Sequence, residues 1–150
     1  MQFKKLSIPD VILIKPKLIK DHRGFFMESY HIDKYHLGDI KSIFVQDNYV
    51  SSVQNTLRGL HFQIKYPQAK LIHCIKGVIF DVAVDIRKDS PTYLQYVSIF
   101  LDDKSKKQLF IPRGFAHGFL VKSDYAIICY KVDNYHDSES ERVISYNNPL

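Results

Sequence analysis

The sequence has few of the features that mark secreted or membrane-spanning proteins. It contains only two cysteines, Cys74 and Cys129, and each stands among apolar residues, so we expect both to be reduced and buried. No apolar run approaches the length of a membrane span, and residues 1–5 lack the apolar core of a signal peptide. These absences predict a cytoplasmic protein that does not engage a membrane.

Positive charge is present in modest excess and is not concentrated. The formal net charge is +5, but the lysines are scattered along the chain and form no basic arm or block. This distribution disfavours nucleic-acid binding. A diffuse positive charge of this size instead favours attraction of an anionic small molecule.

The composition is rich in residues that favour β-strands. There are 10 tyrosines and 10 phenylalanines against 6 glycines and 6 prolines, and no linker or internal repeat divides the chain. We therefore expect one domain over residues 1–150. Short β-type segments recur along it, and in the first half only residues 31–37, followed by Gly38, indicate a helical turn. Residues 135–150 are polar, and we expect them to be irregular. The pattern predicts an all-β barrel or double-sheet roll with little helix.

The longest β signal, residues 70–87, is broken at Lys76-Gly77 as in a hairpin. Beyond the break, an apolar set alternates with a second set that carries carboxylates. The first set is Val78, Phe80, Val82, Val84 and Ile86, and the second is Ile79, Asp81, Ala83 and Asp85. The carboxylates face either solvent or a polar barrel interior, and alternation alone leaves both open.

The segment Leu57–Gln63 combines a fixed cation, a flexible glycine, an imidazole and an amide. On a strand, His61 and Gln63 share a face with Gly59. If that face lines a cavity, His61 can act as a base near neutral pH while Arg58, near the rim, holds an anion. The alternative is a strand with one hydrogen-bonded histidine, the commoner situation for a lone histidine.

Eight segments together resemble the dTDP-4-dehydrorhamnose 3,5-epimerase family of the cupin superfamily. They occur in the family's order through nearly the whole chain, at residues 21–28, 46–48, 57–63, 68–71, 81–87, 90–92, 111–119 and 130–131. The segment from Pro112 to His117 also resembles the second cupin signature. The resemblance implies a cupin-type double-stranded β-helix, that is, a jelly-roll barrel, with its site inside.

The resemblance also implies roles for individual residues. The family removes protons from carbons beside a sugar ketone and returns them to the opposite face, so it needs a base, an acid and support for the enolate oxygen. By resemblance His61 is the base, Tyr130 the acid and Lys70 the enolate support. The implied contacts to a nucleotide-diphosphate 4-keto sugar are Arg23, Glu28, Gln46, Asn48, Arg58, His117 and Glu141.

We expect the reaction to use neither a metal nor a cofactor. Metal-binding cupins carry a second histidine two residues after the first and a carboxylate shortly beyond it. Here Gln63 takes that position, and residues 67–69 offer no carboxylate. Two widely separated histidines are a poor shell for a divalent metal.

Two positions depart from the family pattern. The chain stops at residue 150, before the segment in which family members carry an aspartate paired with the catalytic histidine, so Asp81 or Asp85 is expected to orient His61 instead. At the position of His136 the family usually places an aromatic residue that stacks on the nucleotide base. Here the aromatic residue is the neighbouring Tyr135. These departures leave open the nucleotide base and the sugar of the substrate, and the number of carbons that are inverted.

Three activities fit these residues. The leading hypothesis is an epimerase that inverts C3, C5 or both in a nucleotide-linked 4-keto-6-deoxy sugar, for deoxysugar and cell-surface polysaccharide biosynthesis. The alternatives are a ketoisomerase on the same substrates and a non-catalytic sugar-nucleotide binding module.

The segment from Val11 to Ile19 predicts the mode of assembly. It is β-prone, carries lysines and contains Pro16, which suits an edge strand or an exchanged strand. Family resemblance implies a homodimer in which an N-terminal strand crosses to the partner. Arg23 and Glu28 follow directly, so we expect the partner to contribute to each site.

Overall fold

Two antiparallel sheets enclose the interior in the computed structural model, which describes residues 1–147. Residues 148–150 lie outside the described residues. The expectation about the family's C-terminal segment concerns this end of the chain, so the structure does not test it. The elements are β1 (Gln2–Lys5), β2 (Ile12–Lys15), β3 (Leu18–Asp21), β4 (Gly24–Met27), α1 (Ile32–Leu37), β5 (Gln46–Val53), β6 (Leu57–Gln63), β7 (Lys70–Lys76), β8 (Val78–Asp85), β9 (Tyr96–Asp102), β10 (Gln108–Ile111), β11 (Phe115–Val121), β12 (Tyr125–Val132) and β13 (Glu141–Val143).

The larger sheet has six strands in the order β1-β2-β10-β7-β12-β5, and the smaller has five in the order β13-β6-β11-β8-β9. Strands β3 and β4 form a separate hairpin. Neighbours that are distant in sequence pair across each sheet, as in a jelly roll, and α1 is the one helix among residues 1–147. The predicted all-β, cupin-type fold with little helix is confirmed.

The space between the sheets is apolar over much of its extent. Ile72 and Ile128 from the larger sheet pack with Ile79, Ala83 and Leu101 from the smaller one, and all five are fully buried. Burial of this kind contributes roughly 1.5–3 kcal/mol for each large aliphatic side chain. A second cluster, centred on the buried Tyr35 of α1, closes the end of the larger sheet beside β2.

Strand β8 resolves the alternative left open by its alternating pattern. Ile79, Asp81 and Ala83 point inward and are completely buried, whereas Phe80 and Val82 lie on the half-exposed outer face. The carboxylates therefore face the barrel interior. Alternation specifies two faces, but only the packing of the second sheet decides which of them is inside.

The N-terminal region differs from its prediction. Strand β2 lies between β1 and β10, so in this chain the first half of the Val11–Ile19 segment is not an edge. The β3–β4 hairpin pairs with neither sheet, and its Phe25 and Phe26 are exposed, although Nζ of Lys106 lies 5.0 Å from the centroid of the Phe25 ring.

Two further details depart from expectation. The C-terminal region, predicted to be irregular, contributes β13, which pairs with β6. Both cysteines are free, but only Cys74 is buried, because Cys129 lies half-exposed on the outer face of its sheet. Among residues 1–147 there is no helix both long enough and apolar enough to cross a membrane.

Candidate active site

A bulge in β6 brings Arg58 and His61 to the same side of the sheet. Three residue steps separate them on β6, but their partners on β11, Phe119 and His117, are only two steps apart. The extra residue reverses the alternation, so both side chains line one cavity of about 370 Å³ between the sheets.

Two glycines allow the close approach that this bulge requires. Gly59 has a positive φ of 114°, and a Cβ atom there would lie 2.6 Å from the Cα of Gly118. A Cβ on Gly118 would in turn lie 2.6 Å from the carbonyl oxygen of Arg58. Side chains at either position would push β6 and β11 apart and move His61.

The cavity gathers most of the residues predicted from the sequence. All three expected catalytic side chains line it, together with five of the expected substrate contacts. These residues are His61, Lys70, Tyr130, Gln46, Asn48, Arg58, His117 and Glu141. They come from β5, β6, β7, β11, β12 and β13, so the site exists only when both sheets have formed.

Three strands of the larger sheet carry Lys70, Tyr130 and the amides. Tyr130 is paired through its Cα with Ile72 on one side and Asn48 on the other. The Nε2 of Gln46 donates a hydrogen bond of 2.8 Å to Oδ1 of Asn48, which holds both amides at the wall. Burial lowers the pKa of Lys70, while Asp81 and Glu141 raise it and oppose that shift.

Tyr130 is held as a neutral phenol. Burial raises its pKa above the ordinary value, and the nearby Glu141 carboxylate raises it further, while Arg58 opposes them. A phenol in this state keeps its proton at neutral pH and can donate it to a strongly basic carbon.

The two expected orienters of His61 have other partners. Asp81 lies 2.9 Å and 3.1 Å from Nε2 of His117 through its two oxygens, and both residues are buried. The side chain of Asp85 accepts hydrogen bonds from Arg87, Ser90 and Thr92. The structure therefore assigns neither aspartate to His61, because each carboxylate already contacts other side chains.

Glu141 is the carboxylate that faces His61. Its Oε1 lies 3.3 Å from Nδ1 of His61, an ion-pair distance without hydrogen-bond geometry, and its Oε2 lies 3.7 Å from Nε2 of His136. Burial lowers the pKa of His61, and Glu141 opposes this by raising it, while Lys70 and other nearby cationic groups lower it further. An imidazole in this setting is a neutral base at physiological pH.

Gln63 has a role that the sequence did not reveal. Its Nε2 donates to the carbonyl oxygen of Tyr66 at 2.6 Å, and its Oε1 accepts from the backbone N–H of Asp137 at 2.7 Å. The amide therefore fastens the chain before β13 to the end of β6. Within residues 1–147, no three His, Cys, Asp or Glu side chains form a cluster suited to a metal ion.

Arg23 and Glu28 do not line this chain's cavity. Arg23 is exposed on the β3–β4 hairpin and forms an ion pair of 2.6 Å with Asp21. Glu28 follows the hairpin and contacts Nζ of Lys34 at 2.8 Å. Within one chain, these two expected substrate contacts remain apart from the others.

A second, more open groove of about 930 Å³ lies beside β1 and β2, but its arginines are already paired. Arg87 contacts Asp10 and Asp85, and Arg113 contacts Asp133. None of the expected catalytic side chains lines this groove, so we assign the chemistry to the smaller cavity.

The fold and this cavity define a class of protein: a cupin-type jelly roll with a polar, cation-bearing cavity between its sheets. Residues 5–150 match the family model described as dTDP-4-dehydrorhamnose 3,5-epimerase. The chain belongs to that family, and it is accordingly an isomerase of the epimerase type.

Individual relatives support the same assignment. The chain is 50% identical over 145 residues to the dTDP-4-dehydrorhamnose 3,5-epimerase of Salmonella typhimurium, covering 95% of this chain and 79% of that protein. It is 36% identical over 143 residues to the dTDP-4-dehydrorhamnose 3-epimerase of Streptomyces niveus, covering 94% and 69%. A Legionella pneumophila dTDP-6-deoxy-D-glucose-3,5-epimerase, crystallised with dTDP-4-keto-L-rhamnose, superposes with a TM-score of 0.95 at 44% identity, covering 97% and 78%.

Proposed function

We propose that this protein epimerises a dTDP-linked 4-keto-6-deoxy sugar for deoxysugar and cell-surface polysaccharide biosynthesis. The observation that carries the proposal is the convergence of His61, Lys70 and Tyr130 on one cavity. Relatives named as 3,5-epimerases are more similar to the chain than the 3-epimerase is, at 50% against 36% identity. That ordering favours inversion at both carbons.

The proposed reaction begins with proton removal beside the ketone. His61 takes the proton, because its neutral imidazole faces the cavity and burial keeps its pKa low. The electrons move onto the ketone oxygen, where the Lys70 ammonium stabilises the developing enolate in a poorly solvated setting. Positioned proton transfer of this kind contributes roughly 10²–10⁴-fold to a rate.

The reaction ends when Tyr130 returns a proton to the opposite face of the same carbon. The phenol lies on the larger sheet and His61 on the smaller one, so the two groups approach the cavity from different walls. Each inversion then consumes the phenol proton and leaves one on the imidazole, and exchange with solvent restores both groups. No redox step is involved, and no protein group other than the His61 imidazole and the Tyr130 phenol has to change charge.

The dTDP end of the substrate is assigned to the polar side of the cavity. Arg58 is held there by a hydrogen bond of 2.9 Å from its Nε to the hydroxyl of Ser52, which leaves its terminal nitrogens for phosphate oxygens. Gln46, Asn48 and His117 supply further polar contacts at the same wall. The net charge of +5 favours the approach of a diphosphate.

We also propose a homodimer in which the β3–β4 hairpin reaches the partner's cavity. The hairpin exposes Phe25 and Phe26, and it holds Arg23 and Glu28 away from the cavity of its own chain. Exchange would bury the two aromatics and bring both charged side chains to a substrate. Light scattering at micromolar concentration should give twice the 17.6 kDa chain mass, and a full-length, fully active monomer would contradict this arrangement.

We place the protein in the cytoplasm, without nucleic-acid or membrane partners. Its two free thiols fit a reducing compartment, and dTDP-sugars are soluble biosynthetic substrates.

Solvent deuterium incorporation tests the proposed activity. The chain is incubated in D₂O with a dTDP-linked 4-keto-6-deoxy sugar, and the product is examined by NMR. An epimerase gives deuterium at the inverted carbons, at C3 alone or at C3 and C5. A ketoisomerase gives a shifted ketone, and a binding module gives no exchange; either of these results would overturn the proposal.

A further inference from the structure

The cavity that holds His61 is polar except at one corner. Among the described residues that line it, only Val50 on β5 and Phe119 on β11 have side chains without a polar atom. The other side chains of the wall carry an amide, a hydroxyl, an imidazole, a cation or a carboxylate. We call Val50 and Phe119 the apolar corner.

The contacts of Arg58 place both members of the apolar corner at one end of the cavity. Phe119 is the Cα partner of Arg58 across β6 and β11. The Nε of Arg58 donates to the hydroxyl of Ser52 at 2.9 Å, and Ser52 lies on the same face of β5 as Val50, two residues away. The apolar corner therefore lies beside the cation that we assign to the diphosphate.

The apolar corner is continuous with the core between the sheets. Phe119 is 6% exposed and belongs to the core cluster, and Val50 packs against that cluster. The strand partner of Val50 is Ile128, which is completely buried. Water at such a surface lacks polar partners, so a ligand that covers the surface with apolar atoms gains free energy.

The sugar of the proposed substrate carries one group that matches this surface. In a 4-keto-6-deoxy hexose, carbons 1 to 5 each bear an oxygen, and only C6 is a methyl group. C6 is bonded to C5, and C5 is joined through the ring oxygen to C1, which carries the diphosphate. The methyl group and the diphosphate therefore project from the same end of the ring, as the apolar corner and Arg58 lie at the same end of the cavity.

We propose that the apolar corner receives the C6 methyl group, and that Val50 and Phe119 thereby determine specificity for 6-deoxy sugars. The inference rests on the proposed function, from which it takes its substrate class. A 6-hydroxyl group in the same position would lose its hydrogen bonds to water, because neither side chain can donate or accept one. Neither side chain can transfer a proton, so the corner selects the substrate and takes no part in the chemistry.

Two nucleotides that lack the ketone test the inference without turnover. dTDP-6-deoxyglucose and dTDP-glucose differ only by the hydroxyl group on C6, and titration calorimetry measures the Kd of each for the full chain. We expect the 6-deoxy compound to bind roughly 10–100-fold more tightly, the usual discrimination of an apolar pocket against an added hydroxyl group.

Substitutions in the apolar corner should change this preference. Val50→Thr adds a hydroxyl group at nearly constant shape and should reduce the preference roughly 3–10-fold, the effect of one neutral hydrogen bond. Val53→Thr makes the same change on the exposed face of β5 and should keep the wild-type preference. Phe119→Leu should weaken binding of the 6-deoxy compound more than binding of dTDP-glucose. Circular dichroism checks the fold of each variant, and Val50→Thr decides the test if Phe119→Leu does not fold.

The outcomes separate this inference from the proposed function. Equal affinity of the wild-type chain for the two nucleotides would overturn the inference, as would an unchanged preference in folded Val50→Thr. Equal affinity is also the result expected if the corner received the thymine methyl group instead. A chain that incorporates deuterium into a 4-keto-6-deoxy sugar without this preference retains the proposed function and refutes the inference. A chain that shows the preference without deuterium incorporation supports the inference and refutes the proposed function.

Discussion

Two of the histidine–carboxylate pairs at the cavity, His117–Asp81 and His61–Glu141, differ in burial and in the distance between their partners. His117 and Asp81 are 8% and 0% exposed and lie 2.9 Å apart, whereas His61 and Glu141 are both 38% exposed and lie 3.3 Å apart. A fully buried pair must satisfy its own polar groups, since water cannot. The half-exposed pair remains accessible to a substrate. We infer that the first pair stabilises the wall of the cavity and that the second contacts the substrate.

The largest expected effect on activity comes from removing the imidazole of His61. His61→Asn should reduce solvent proton exchange roughly 10²–10⁴-fold, because the amide cannot act as a general base. Deuterium incorporation measures this loss, and nucleotide binding together with circular dichroism checks that the fold survives. A variant that retains more than about a tenth of wild-type exchange would remove His61 from the role of base.

Tyr130→Phe should separate proton removal from proton return. Loss of the phenol oxygen leaves the ring packing nearly intact, so we expect some exchange to persist while inverted product falls about 100-fold, within the usual range for a lost acid. Product stereochemistry by NMR, measured beside deuterium incorporation, distinguishes the two steps. Wild-type inversion in the variant would identify water or another group as the acid.

His73 extends the comparison to a buried histidine that has no hydrogen bond on Nε2 within residues 1–147. Burial lowers its pKa to about 4 from an ordinary 6.5, so its contribution to stability is complete above pH 6.5 and is lost as the pH falls toward 4. Urea unfolding should show a loss on the order of 3 kcal/mol over that interval. His73→Gln should flatten the loss, whereas the exposed His22→Gln should retain it; equal curves for the two variants would refute this account.

Asp81→Asn should destabilise the fold more than Glu141→Gln does. The buried His117 loses a charge-assisted contact, at a cost of about 1–3 kcal/mol, while the half-exposed Glu141 should cost about 0.5 kcal/mol or less. Urea midpoints for both variants, with the exposed Asp89→Asn as control, measure the difference. Equal losses would mean that the two pairs are not specialised in the way proposed.

Chelation should have no effect. Gln63 occupies the position of a second cupin histidine, and its amide is already bonded to the backbone of Tyr66 and Asp137. Exhaustive treatment with a strong chelator should leave the inversion rate at its untreated value in the same assay. Loss of activity that a divalent metal restores would contradict the metal-free mechanism.

Local pattern was sufficient for much of the fold. The break at Lys76-Gly77 and the helical turn closed by Gly38 were each predicted from neighbouring residues, and each appears in the structure. A strand over residues 57–63 also forms, but a bulge interrupts its predicted alternation. Strand β13 was missed because its three residues are polar or exposed. A strand of that length forms only because β6 supplies its hydrogen-bond partners.

The amino-acid sequence by itself determined which side chains were available for the chemistry and which strands carry them, because residue type and period-2 alternation are local properties. It did not determine which residues share a wall. Strict alternation sends Arg58 and His61 to opposite faces, and only the bulge against β11 brings them together. Nor did it select Glu141 over Asp81 as the neighbour of His61. That choice depends on the pairing of strands 80 residues apart, and such pairing forms only when the two sheets close over a common core.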